Sequence, residues 1–170
     1  MVADLLAELR VKLSGQQHWI QYDHAEALTL VLTRLKEASS DTAVEFVLVA
    51  LRLIRQEASW TTHVLNQAAG QVLRRKLEFS EDQVVEMLEL AAVPNSSFPF
   101  RGILKAVEAV PMSPRLAERL RLLRPCITDF LGGGEARELH ARIDNLLDGP
   151  APQTALDTQG AWSKIVFDDI

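Results

Sequence analysis

Apolar residues recur along most of the chain at the spacing of a helix that buries one side. The series runs Leu28, Val31, Leu32 and Leu35, then Val44, Val47, Leu48 and Leu51, then Val64, Leu65, Ala68, Val72 and Leu73. Val84, Val85, Leu88 and Ala92 continue it, as do Leu139, Ile143, Leu146 and Leu147. A helix turns once every 3.6 residues, so each set shares a face that must pack on a neighbour. Between Val44 and Ile54 only Glu45 and Arg52 are polar, which predicts a central helix buried on several sides.

Polar residues mark where these helices start. Asp23 with Glu26, Thr42 with Glu45 and Ser80 with Gln83 have the spacing of a capping box, in which cap and third helical residue satisfy each other's amides. Phe79 and Val84 are placed to staple the Ser80 start. Ser113-Pro114 puts proline where its missing N–H costs nothing, and Ser59 to Thr62 and Ser97 to Pro99 supply looser starts. Gly15, Ser39-Ser40-Asp41, Pro94, Pro111, Gly132 to Gly134 and Gly149 read as stops. Pro125 predicts a break near Arg124 in the arginine-rich helix that begins at Pro114.

The starts are regularly spaced. Asp23 to Trp60 is 37 residues, Thr42 to Ser80 is 38 and Trp60 to Ser97 is 37. A two-helix unit of that period is expected when each hairpin buries its face against its neighbours. The expected fold is all-α, a right-handed stack of antiparallel helical hairpins over residues 1–148, with a closed helical bundle as the alternative. In period and helix length, residues 23–148 resemble the HEAT-like or armadillo class of helical repeats, while the tetratricopeptide and ankyrin signatures are absent. The resemblance implies an α-solenoid that works as a binding scaffold.

Residues 149–160, GPAPQTALDTQG, read as a flexible linker. Beyond it Trp162, Ile165, Val166 and Ile170 make one apolar helical stripe over 161–170, either a docking tail or the start of a further helix in a longer chain. This junction is similar to segments of large bacterial proteins that bear WGR domains.

Composition narrows the function. Of the 170 residues 48% are hydrophobic but only 6% aromatic, which favours Leu-, Val- and Ala-rich helix packing over a sandwich. The net charge of −5 repels a phosphate backbone overall, although a local basic stripe could bind one. Cys126 is the only cysteine, so an intramolecular disulfide is impossible, and with no signal peptide or apolar run of membrane length a cytoplasmic location is expected.

Candidate chemistry is thin. His18 and His24 flank Asp23 without a metal-binding spacing, His63 reads as a partly buried spacer, and His140 with Asp144 reads as an exposed pair one turn apart. Cys126 follows Pro125 with no base placed beside it and reads as a core residue, and Gly132 to Gly134 has no lysine after it to make a phosphate loop. No cofactor, no metal and no catalysis are expected. Trp19, Tyr22, Trp60, Phe98 and Phe100 fall at expected turns and, with Trp162, are candidates for a partner-binding strip or for sealing the core between helices. Arg74, Arg75 and Lys76 close one helix, and Arg115, Arg119, Arg121 and Arg124 share another; together they form the alternative, a nucleic-acid grip, if both clusters share one concave face. The expected partner is another protein or further domains of a longer chain.

Overall fold

The structure, a computed structural model, describes residues 1–14, 20–56, 61–94, 98–129 and 134–149, with side chains described over 1–11, 25–56, 63–94, 98–129 and 134–149. These residues are all-α: eight helices and no strand. In chain order they are α1 (Val2–Ser14), α2 (Ile20–Leu35), α3 (Ser40–Gln56), α4 (Thr61–Leu73), α5 (Glu81–Ala91), α6 (Phe100–Glu108), α7 (Pro114–Leu123) and α8 (Glu135–Asp148), with a 3-10 turn at Arg124–Cys126 after α7. Residues 150–170, which hold the expected linker and tail, lie outside the described residues.

Capping chemistry explains several boundaries. At α5 the Ser80 hydroxyl accepts from the Gln83 amide while the Gln83 side chain accepts from the Ser80 amide, a complete capping box. At α7 Ser113 accepts from the Leu116 amide and Pro114 takes the first helical position. Pro125 ends the regular helix at Leu123 and leaves the 3-10 turn. Two expected starts move upstream. The hydroxyl that accepts from the Thr42 amide belongs to Ser39, so α3 opens at Ser40 and Thr42 lies inside its first turn. Helix α2 begins at Ile20, so Asp23 lies within the helix instead of capping it.

Each helix packs on its hairpin partner and on the helix two places along, so α1, α3, α5 and α7 form one row and α2, α4, α6 and α8 another. The core between the rows holds Phe46, Leu51, Leu73, Leu88, Leu104 and Leu120, and among the described residues no polar or charged residue is buried. Helix α3 packs on α1, α4 and α5 and buries eight residues from Ala43 to Ile54, the central helix that its apolar run predicts.

Charged contacts tie successive helices of a row at regular offsets. Arg52 to Glu86, and Arg55 to the Glu89 carbonyl, join α3 and α5 at a separation of 34 residues. Arg101 to Glu135, and Arg142 to Glu108, join α6 and α8 at the same separation. One pair sits near the N-termini of α6 and α8 and the other near their C-termini, so these helices run parallel and in step. Towards the N-terminus the offset is longer: Arg75 donates to the Leu35 carbonyl 40 residues back, and the Glu78 amide to the Ser40 hydroxyl 38 back. These separations of 34 to 40 residues bracket the spacing of about 37 between the expected helix starts.

Candidate functional site: a groove across α4, α6 and α8

A groove of about 1440 Å³ runs from Leu28 across α4 and α6 to α8. Its apolar floor is Phe98, Pro99, Phe100, Ile127, Ala136 and Leu139, and its α4 wall presents His63, Asn66, Gln67, Gly70 and Gln71. The Gln67 amide nitrogen lies 3.4 Å from His63 Nε2, one turn along α4.

Small residues let the floor form. A Cβ added at Gly102 would lie 2.8 Å from the Leu73 Cβ, so glycine there lets α6 press directly on α4. At Gly70 an added Cβ would meet Pro99 at 3.5 Å, an ordinary van der Waals contact, so the groove wall accepts a methyl group there without a clash. Phe98 is buried and Phe100 half-buried, their ring centroids 6.2 Å apart and tilted by 57°. Both rings brace the start of α6, which has no side-chain cap of its own.

The far edge depends on how α8 begins. Gly134 precedes it with φ of 77°, a left-handed conformation in which a side chain would be strained. The Asp129 carboxylate then accepts from the Ala136 amide at 2.8 Å and does the work of the missing cap. Sequence spacing did not reveal this cap, because Asp129 reaches forward across the glycine run. It places Asp129 and Glu135 at the edge where Arg101 enters.

Arg101 meets Glu135 at 2.9 Å and both carboxylate oxygens of Glu138, at 2.7 and 3.0 Å. These bonds raise the guanidinium pKa further and hold the Glu138 carboxyl below its ordinary value. At the opposite edge Arg142 meets Glu108 at 2.8 Å. Between α4 and α6 no carboxylate answers the cations: Lys105 donates to the Arg74 backbone carbonyl at 2.6 Å, and the Arg74 side chain is exposed with no ion pair among the described residues.

The arginine candidates separate into different roles. Arg115 pairs with Asp82, Arg119 with Glu89 at 3.0 Å, and Arg124 with both oxygens of Asp144 at 2.8 and 2.9 Å. Arg75 donates to the carbonyls of Leu35 and Ala38, at the C-terminal end of α2. Arg121, Lys76 and Arg74 are exposed. The two clusters belong to different rows, and α4 is not packed on α7 to bring them onto one face.

Asp144 bonds Arg124 where a pair with His140 was expected, and this holds its carboxyl below the ordinary value. The His140 Nε2 lies 2.9 Å from the carbonyls of both Arg124 and Ile127; carbonyls only accept, so this nitrogen carries the proton and ties α8 to the 3-10 turn. His63 is exposed on the groove wall, not partly buried, because its face of α4 is the one α6 leaves uncovered. Cys126 is buried, as expected of a core residue. Trp19, Trp60 and Trp162, and the side chains of Tyr22, His18, Asp23 and His24, lie outside the described residues. Among the described residues no group of three His, Cys, Asp or Glu converges to hold a metal, and no helix is long and apolar enough to cross a membrane.

Comparison with protein-family models, with curated proteins and with solved structures finds no match to this chain.

Proposed function

We propose that this chain is a protein–protein interaction or scaffold module without catalysis of its own, an open HEAT-like α-solenoid that holds a segment of its partner in the α4–α6–α8 groove. What favours an open stack over a closed bundle is the packing pattern, in which the substantial contacts join only hairpin partners, neighbours in one row, and α7 with its following turn. The single observation that carries the function is the groove. At about 1440 Å³ it exceeds the roughly 300–1,000 Å³ usual for a small-molecule pocket, and three neighbouring helices build it from an apolar floor between polar edges. Those are the dimensions and chemistry of a site for a peptide or helix.

The alternative, nucleic-acid binding through the arginine helix, is weakened because Arg115, Arg119 and Arg124 already meet carboxylates; Arg121, Arg74 and Lys76 would have to carry it. One experiment separates the two. The full chain on beads is incubated with cell lysate, with and without nuclease, beside Gly70→Leu, which fills the groove wall, and Arg121→Glu. Binding that resists nuclease, survives Arg121→Glu and is lost with Gly70→Leu supports the scaffold reading. Binding lost with nuclease and with Arg121→Glu, yet intact in Gly70→Leu, would replace it with nucleic acid.

A further inference from the structure

We infer that the segment held in the groove is an amphipathic helix of a partner protein, acidic at its N-terminal end and basic at its C-terminal end, lying across α4, α6 and α8 with its acidic end at α4. The inference rests on the groove being a docking surface, and it names the chemistry and the direction of what docks there.

The floor sets the course of the segment. Gly70 faces Pro99, Gly102 faces Leu73 and Lys105 reaches the Arg74 carbonyl, so α4 and α6 run parallel with the middle of α4 beside the start of α6. Arg101 meets Glu135, which sets the start of α8 beside the start of α6. The apolar residues Phe98, Pro99, Phe100, Ile127, Ala136 and Leu139 therefore form a strip that crosses the helices instead of following one of them. Packed helices lie about 8–10 Å apart, so the crevice between α4 and α6 and the crevice between α6 and α8 repeat at about that distance. In a helix, residues seven apart share a face and lie about 10.5 Å from one another. In an extended chain, same-face residues are about 6.8 or 13.5 Å apart. The helical repeat is the one that seats a side chain over each crevice.

Charge sets the direction. At the α4–α6 end Arg74 and Lys105 line the groove about one turn beyond Gly70 and Arg101, joined through the bond from Lys105 to the Arg74 carbonyl. At the α8 end lie three carboxylates, Asp129, Glu135 and Glu138, with one cation, Arg101, bonded to the last two. Arg142 and Glu108 offset each other by pairing. What sets the groove apart is not that any one charge lacks a partner but that the two signs are segregated at opposite ends of one apolar floor. A helix with acids over Arg74 and Lys105 and bases over Asp129 and Glu135 meets attraction at both ends, and the reversed helix meets repulsion at both. Acids in the first turn and bases in the last also suit the helix's own dipole, which places its N-terminus at α4.

The test is selection, on the full chain, of random linear peptides about twelve residues long displayed on phage. The recovered sequences should carry apolar residues at helical spacing, acids towards the N-terminus and bases towards the C-terminus. Their affinity should fall at least about tenfold for Arg74→Glu/Lys105→Glu and return when the acids of the peptide are replaced by lysines. For the unchanged chain it should fall by a similar factor when salt is raised to about 1 M, where charges act over only about 3 Å. The salt measurement uses no variant, so it decides the matter even if the double substitution unfolds the chain. Recovered peptides of uniform charge, apolar residues alternating in steps of two, affinity indifferent to salt, or no recovered peptide at all overturns the inference. The docking reading is judged separately by Gly70→Leu. Peptides that this substitution releases but that carry no segregated charge keep the groove as a docking site and overturn only the inference, whereas peptides that it leaves bound overturn the docking reading as well.

Discussion

The two rows of helices are tied by the same kind of contact, yet ion pairs run the length of one from α3 to α7 and are interrupted in the other between α4 and α6. On the α3–α5–α7 side the arginines of one helix reach the acids of the next: Arg52 bonds Glu86, Arg119 bonds Glu89, Arg115 bonds Asp82, and Ser113 donates to Glu81 at 2.7 Å. On the other side the same device works between α6 and α8 and stops at α4. The α4 face offers Gln67, Gly70, Gln71 and Arg74, and α6 answers with Gly102 and Lys105. Among the described residues no ion pair joins α4 to α6; Gly102 lets the two helices touch, Lys105 bonds the Arg74 carbonyl, and the groove lies over that crossing. The ion-pair ladder is thus most informative where it is interrupted.

The largest test of this contrast is the contact between α4 and α6. Leu73 is 1% exposed and its side chain occupies the space that a Cβ on Gly102 would need. Leu73→Ala should lower unfolding free energy by about 2–5 kcal/mol, read in a urea titration. Gly102→Ala should cost about 1–3 kcal/mol by overpacking, despite alanine's better helix propensity. The two changes are complementary in volume, so the double variant should lose clearly less than the sum of the singles. Strict additivity would mean that the groove does not owe its floor to this close crossing.

Gly70 should respond in the opposite sense. It sits inside α4 with its nearest neighbour at 3.5 Å, so Gly70→Ala removes a helix-interior glycine without a clash and should raise stability by about 0.5–1 kcal/mol. Two glycines on neighbouring helices of one row therefore predict melting shifts of opposite sign. Arg52→Gln, on the closed side, should cost no more than about 1 kcal/mol, since both partners are partly exposed to water. A larger loss would show the ladder to be a principal source of stability instead of a means of setting register.

Much of this fold is legible in the sequence, because its signals are local. The Ser80 box, the Ser113-Pro114 start, the Pro125 break and the buried run from Val44 to Ile54 each depend on residues within about one turn of one another. Where the reading slipped, a competing local group took the part: Ser39 caps α3 three residues before Thr42, and α2 already runs from Ile20 before Asp23. The groove was not legible, for a different reason. It depends on pairs such as Arg101 with Glu135, on the Gly102 crossing and on the Asp129 cap of α8, which span from 7 to more than 30 residues and carry no fixed local spacing. The partners of the arginine helix were not legible either, because an arginine cluster reads the same in sequence whether its charges face a phosphate or the acids of the next helix.

The smallest predicted effect concerns pH and again compares the two edges of the molecule. Glu138 at the groove and Asp144 beside the 3-10 turn have carboxyls held below their ordinary values by hydrogen bonds from Arg101 and Arg124. A carboxylate whose pKa is depressed by folding contributes stability that is present above its unfolded pKa and is lost as pH falls through the folded value. Melting temperature should therefore be flat from neutral pH down to about 5 and then decline as the solution passes through and below the carboxylate range, near 4.5 for Glu138 and 3.8 for Asp144 when unfolded. Glu138→Gln and Asp144→Asn should each lower the neutral plateau slightly and shallow the acid slope. Raised salt should shrink the difference, since both groups are exposed. An acid slope that is the same in both variants and in the unchanged chain would remove these two pairs from the account of how the last hairpin is held, and leave the His140 bond to the Arg124 and Ile127 carbonyls as the contact that fixes α8.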